Sequence, residues 1–327
     1  MPFMKIKTYA KINLTLDIVG KLPNSYHLLD SVMQSVSIFD VLNITKADKI
    51  TVTCDNNEID GKDNIAFAAA SAFFDFCKIK GGCNIAINKN IPVCAGLGGG
   101  SSDAAAVIFA LDKIYGTSLS ENDLNGIAMS VGSDVPFCLH GGTCRISGIG
   151  EKVEKIPDIP KLYFTVIKIG KKQSTGDMYK KLDSYENLPQ YTEKAVKRII
   201  ESDLNGIYEC ISNAFENVFD TSLQKEILSP FAPKKICLSG SGPSVYAVFD
   251  KKEDAIHDER LDDLCGWIGQ IGFDKNHAFF ANVFKAEDNQ DLRAVSFYAT
   301  GPDTTYKIYL DTEPEYSTLN ITLIEGK

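Results

Sequence analysis

The residues with the clearest capacity for chemistry are the run Pro92-Val93-Cys94-Ala95-Gly96-Leu97-Gly98-Gly99-Gly100-Ser101-Ser102-Asp103. Glycines let the backbone take φ > 0 and come close to a ligand. The serines can cap a helix and also donate to phosphate oxygens. A run of this kind ahead of a helix offers unpaired N–H groups and the positive end of a helix dipole. The chemistry is anion binding, and a nucleotide triphosphate is the expected anion. Neither usual phosphate motif fits: no Lys follows these glycines, as a P-loop requires, and Ser101 stands where a dinucleotide fingerprint needs its third glycine. The plain alternative is a flexible linker, but linkers rarely pass directly from a strand into a serine-capped helix.

The flanking pattern supplies those elements. Residues 83–91 alternate Ile85 and Ile87 with Asn84 and Asn88, which predicts a strand. Residues 104–115 are Ala-rich, with Ala105, Ile108, Phe109 and Asp112 spaced for an amphipathic helix. Upstream, residues 5–19 carry two short strand signals, with Ile12, Leu14, Leu16 and Ile18 on one face. Lys11 precedes that alternation, and taken alone it reads as a solvated edge charge. Residues 20–24 read as a turn, 31–44 as a strand pair, 64–76 as a helix and 121–131 as a helix capped by Ser120. Asp134, just before Pro136, reads by itself as a turn cap. Strands at 162–169, 236–238 and 245–249 follow, the last two flanking Gly240-Ser241-Gly242, and 213–218 reads as helix.

The chain has 327 residues, enough for two domains, and its 44% hydrophobic and 24% charged content is that of a soluble globular protein. A net charge of −9 disfavours nucleic-acid or anionic-membrane surfaces, so phosphates would need a local positive site. No apolar run is long enough for a bilayer, and the first five residues lack a signal-peptide core. The nine cysteines form no Cys-x-x-Cys pair or Cys/His cluster. Reduced thiols in a cytoplasmic protein with no protein-bound metal are the expectation.

The string Pro-x-x-x-Gly-Leu-Gly-Gly-Gly-Ser-Ser-Asp-Ala resembles the phosphate loop of the GHMP kinases (galactokinase, homoserine kinase, mevalonate kinase and relatives). Tyr9-Ala10-Lys11-Ile12-Asn13-Leu14 and Gly132-Ser133-Asp134-Val135-Pro136-Phe137 resemble two further family segments, and Leu238-Ser239-Gly240-Ser241-Gly242-Pro243 a third. The resemblance implies an α+β fold of two lobes, an N-terminal ribosomal S5 domain 2-like lobe over residues 1–155 and a ferredoxin-like lobe over 156–262. It also implies an ATP-dependent kinase using Mg²⁺. Pro92, Ala95, Gly96, Leu97, Gly98, Gly99, Gly100, Ser101 and Ser102 would hold the nucleotide. Lys11 would polarise the acceptor hydroxyl, and Asp134 would accept its proton. The acceptor implied is 4-diphosphocytidyl-2-C-methyl-D-erythritol, phosphorylated at its 2-hydroxyl in the non-mevalonate isoprenoid route. Asn13, Tyr26, His27, Tyr179, Gly240, Ser241 and Gly242 would contact it, Tyr26, His27 and Tyr179 at the cytosine. Ser25 replaces the family's glycine before Tyr26, which would strain that turn if it needs φ > 0.

From about residue 263 to 327 the alternation and aromatic content predict an all-β tail. It resembles lectin-like β modules, which implies glycan contact. Two other readings stay open: the same fold acting on mevalonate, homoserine or a sugar, and a carbohydrate-binding protein led by its tail.

Overall fold

A computed structural model describes residues 3–56, 59–171, 174–185, 187–252, 254–255 and 268–272. Apart from residues 268–272, the expected tail lies outside the described residues, as does the stretch 256–267 that joins it.

Two long strands, β1 (Phe3–Lys21) and β2 (His27–Ala47), form one antiparallel ribbon. Each was expected as a pair of short strands. The ribbon stays continuous because it absorbs irregularity at three register shifts, at Tyr9/Lys11, Asn13/Thr15 and Ile18/Gly20. Such bulges bend and twist a strand and re-aim its side chains. The turn between the strands places Ser25 at φ 70, the conformation that suits glycine.

The second strand divides its outer edge. Its first half pairs β5 (Thr143–Gly148), which pairs β6 (Lys152–Lys155). Its second half pairs β4 (Gly82–Asn88), with β3 (Thr51–Cys54) parallel beyond it. The helices α1 (Ile65–Cys77), α2 (Gly99–Tyr115), α3 (Glu121–Val131) and α4 (Val135–His140) belong with this sheet. Their small and aromatic faces (Ala66, Phe73, Ala105, Val107, Leu111) pack with Leu42, Ile44, Ile85 and Ile87. Alanine lets α2 lie close. The N-terminal caps are side chains of Asn64 for α1 and Ser120 for α3, the latter in a capping box with Asp123.

A second antiparallel sheet has the order β11-β7-β10-β9, from β7 (Tyr163–Lys168), β9 (Lys235–Leu238), β10 (Ser244–Phe249) and β11 (Ile268–Gly272). The edge strand β11 falls inside the range read as tail, so the sheet of the second lobe reaches past residue 262. Helices α5 (Thr175–Leu182), α6 (Thr192–Ile200), α7 (Leu204–Cys210) and α8 (Ser222–Leu228) accompany it. Residues 213–218, read as helix, are instead the end of a two-residue strand β8 (Ser212–Asn213) and a 3₁₀ turn (Ala214–Asn217). The Asn213 side chain accepts from Phe215 N–H, a local bond that starts the turn.

One apolar core spans both sheets. Ile12, Leu14, Val36 and Ile38 of the first, with Leu97 of the glycine run, pack with Phe164, Val166 and Tyr246 of the second and with Ile199 of α6 and Ile207 of α7. Burying such side chains stabilises by roughly 1.5–3 kcal/mol each. β8 also pairs in parallel with Thr15 and Leu16 of β1. The fully buried Tyr246 donates its hydroxyl to the Asn13 carbonyl at 2.7 Å.

Candidate active site

The glycine run becomes helix earlier than its composition suggests. α2 starts at Gly99, and its N-cap is Gly98 at φ 69. Ser101 and Ser102 therefore lie inside the first turn and do not cap it. Ser102 instead donates to the Tyr9 carbonyl at 2.8 Å, tying the helix to β1. Ser102 N–H makes the first intrahelical bond, to the Gly98 carbonyl. The N–H groups of Gly99, Gly100 and Ser101 precede it, which leaves them for a ligand.

Sterics fix the glycines. A Cβ on Gly98 would fall 2.8 Å from Lys11 Cγ, and one on Gly99 would fall 2.7 Å from Ile91 Cγ2. From the second lobe, the loop 239–243 closes on the run: Ser239 Oγ donates to the Gly96 carbonyl at 3.0 Å, and Ser244 N–H to the Ala95 carbonyl at 3.2 Å.

Lys11 sits at the first register shift of β1, with its own N–H bonded to the Leu97 carbonyl at 2.8 Å. Only 3% exposed, its Nζ donates to Asn13 Oδ1 at 2.7 Å and lies 3.5 Å from Asp134 Oδ2. Asn13 Oδ1 also accepts Gly240 N–H at 3.1 Å, while Asn13 Nδ2 donates to Ser31 Oγ. Asn13 thus holds the lysine and the second glycine loop together. Asp134 is the N-cap residue of α4, with Pro136 in that helix's first turn. The turn cap expected at Asp134 is thus a helix start.

Beneath α2 lies a cluster that the sequence did not announce. Lys89 Nζ donates to Asp40 Oδ2 at 2.5 Å and to Asp103 Oδ2 at 2.9 Å. Thr8 donates to Asp103, and Asn90 and Ile91 N–H donate to Asp40 Oδ1. Burial pushes the Asp40 carboxyl up to about 7, with the Asp103 charge adding to it and Lys89 opposing. Burial also raises Asp103. Burial alone would lower Lys89, but the two carboxylates outweigh it and raise it. The cluster anchors the start of the glycine run to β2 and α2.

A cavity of about 540 Å³ runs along these groups. Residues 92–101 line it, with Lys11, Asn13, Lys89, Asp134, Tyr179, Gly240 and Ser241. Of the residues expected from sequence, Ser102, Tyr26, His27 and Gly242 are not in its wall. Tyr26 is 61% exposed on the hairpin turn. His27 stacks on Tyr179, the rings 4.7 Å apart and 18° from parallel, and Tyr179 meets Phe215 edge-on at 4.9 Å. Burial pushes the Tyr179 hydroxyl up to about 12. Gly242 lies behind the loop, against Phe219 and Leu238.

The arrangement can grip a chain of phosphates on main-chain N–H groups at one end of α2. It presents a buried ammonium and a carboxylate beside them. Among the described residues no group of three or more His, Cys, Asp or Glu is placed to hold a metal ion, and no helix is long and apolar enough to cross a membrane.

Comparison with known proteins gives the family. Residues 64–142 match the family model described as the GHMP kinases N terminal domain, and residues 261–323 one described as a lectin-like domain. A 4-diphosphocytidyl-2-C-methyl-D-erythritol kinase of Caldicellulosiruptor saccharolyticus is 38% identical over 263 residues, 77% of this chain and 90% of the relative. One from Caldanaerobacter subterraneus is 40% identical, with the same coverage. A crystal structure of 4-(cytidine 5'-diphospho)-2C-methyl-D-erythritol kinase superposes with a TM-score of 0.67 at 26% identity, covering 82% of this chain and 99% of that one. The fold is shared with an L. major mevalonate kinase, TM-score 0.64 at 18% identity, covering 82% and 95%. The chain belongs to the 4-diphosphocytidyl-2-C-methyl-D-erythritol kinases, within the GHMP kinases.

Proposed function

We propose that this chain transfers the γ-phosphoryl group of ATP to the 2-hydroxyl of 4-diphosphocytidyl-2-C-methyl-D-erythritol. The observation that carries the reading is the Lys11–Asp134 pair, 3.5 Å apart beside the free N–H groups of Gly99, Gly100 and Ser101. The residues fit a triphosphate: the N–H groups of Gly99, Gly100 and Ser101 at the start of α2 and the Lys11 ammonium line one cavity. A Mg²⁺ arriving with the nucleotide would supply charge that offsets the phosphates.

In this reading Asp134 takes the proton of the acceptor hydroxyl as its oxygen bonds to the γ-phosphorus and the bond to the ADP oxygen breaks. Lys11 offsets negative charge on the reacting oxygens, and burial strengthens that effect. Asn13, whose Oδ1 also accepts Gly240 N–H, fixes the lysine's position. Pro92, Ala95, Gly96, Leu97 and Ser102 shape the nucleotide loop, and Ser241 with Gly242 the loop that faces it. Tyr26, His27 and Tyr179, grouped where the hairpin meets α5, would form the cytosine end. The lobes divide after residue 155.

The test is a coupled phosphotransfer assay with purified protein and four acceptors: the diphosphocytidyl compound, mevalonate, homoserine and a sugar. Turnover confined to the first is expected; preference for another would overturn the acceptor. The lectin-like match over residues 261–323 supports a second capacity, glycan contact, which a glycan array with the full chain would test.

A further inference from the structure

A lysine, a carboxylate and an imidazole meet where the β1–β2 hairpin comes against α5, and phosphoryl transfer as described above uses none of their contacts. Asp183 is the C-cap residue of α5. Its Oδ2 accepts from Lys21 Nζ at 2.6 Å, and its Oδ1 lies 2.7 Å from His27 Nε2. Lys21 and His27 face each other across the ribbon at the mouth of the turn. Tyr179, four residues before Asp183, lies on the same side of the helix. The imidazole is therefore held twice by one element, by its face on Tyr179 and by one edge on Asp183. The hydrogen bond from Lys21, then that from His27, keeps the Asp183 carboxyl below the usual range. The His27 side chain is 7% exposed.

An ionised carboxylate only accepts, so Nε2 carries the proton of this contact. In the neutral ring Nδ1 is then an acceptor. The edge of cytosine offers an exocyclic amine donor where that of uracil offers a carbonyl oxygen. An acceptor fixed at Nδ1 pairs with the first and opposes the second.

We propose that Asp183 is a positioning residue for acceptor recognition: it fixes the His27 imidazole by its Nε2 edge, so that Nδ1 is the atom that reads the amino edge of the pyrimidine. This rests on the reading that His27 serves the cytosine end. The Lys21–Asp183 pair is exposed, and such pairs add little to stability. The contact's consequence lies in orientation.

The experiment compares wild type, Asp183→Ala and Asp183→Glu for acceptor KM, ATP KM and kcat, with CDP and UDP as competing ligands. In Asp183→Ala the acceptor KM should rise about tenfold and the preference for CDP over UDP should fall. ATP KM and kcat should stay within about twofold, and Asp183→Glu should recover part of the loss. Wild-type acceptor KM and base preference in Asp183→Ala would overturn the proposal. So would a rise in ATP KM alongside, which would make Asp183 a clamp between lobes. Wild type inactive on the diphosphocytidyl acceptor would sink the function itself; an active wild type with an indifferent Asp183→Ala sinks only the positioning role.

Discussion

The Ser239 carbonyl oxygen lies where Gly96 leaves room for nothing else: a Cβ on that glycine would come within 2.3 Å of it. Gly96 also sits at φ +78, a conformation L side chains seldom adopt. Strain and collision act together in Gly96→Ala. The two glycine loops should separate, with a loss of about 2–4 kcal/mol in stability and a higher ATP KM. Urea titration and steady-state kinetics check both.

Lys11→Met keeps the stem and removes the ammonium, and Asp134→Asn keeps the shape and removes the charge. Each should lower kcat by about 10²–10⁴-fold, with a smaller change in ATP KM. Turnover near wild type in either variant would remove that residue from the chemistry.

Lys89→Met leaves two buried carboxylates, Asp40 and Asp103, without their cation. Breaking a buried pair in this way costs about 3–5 kcal/mol, so the variant should unfold at much lower denaturant than wild type. Double substitution with Asp40→Asn should recover part of the loss.

Asp40 also makes stability depend on pH. Its carboxyl is raised in the folded protein from an ordinary 3.8 to about 7. The folded state thus binds the proton more tightly than the unfolded chain does. Its contribution is fully present below about 4 and is lost as pH rises towards 7, at up to about 1.4 kcal/mol per unit. Urea midpoints at pH 5 and pH 8 should show this fall in wild type, and Asp40→Asn should flatten it.

The glycine run, α1 and α3 with its Ser120 cap were readable locally, because capping and periodicity act within a few residues. Lys11 and Asp134 were readable only by resemblance: a bulge in β1 and the start of α4 bring together residues that are distant in sequence. Lys89 is not legible in the sequence, because a lysine ending an alternating strand has the pattern of a solvated one. Its partners lie 49 and 14 positions away, and Asp40 is buried only once β2 divides between β4 and β5. The ribbon's continuity is hidden for a related reason: strands of 19 and 21 residues stay whole by absorbing register shifts, which alternation in the sequence does not mark.

The shared interior has a consequence for how the molecule comes apart. Ile12 and Leu14 have their neighbours in Phe164 and Tyr246, so neither half retains a dry centre when the other melts. Thermal scans followed by far-UV signal and by tyrosine fluorescence should therefore coincide over residues 3–252, with no lone lobe surviving as a folded fragment.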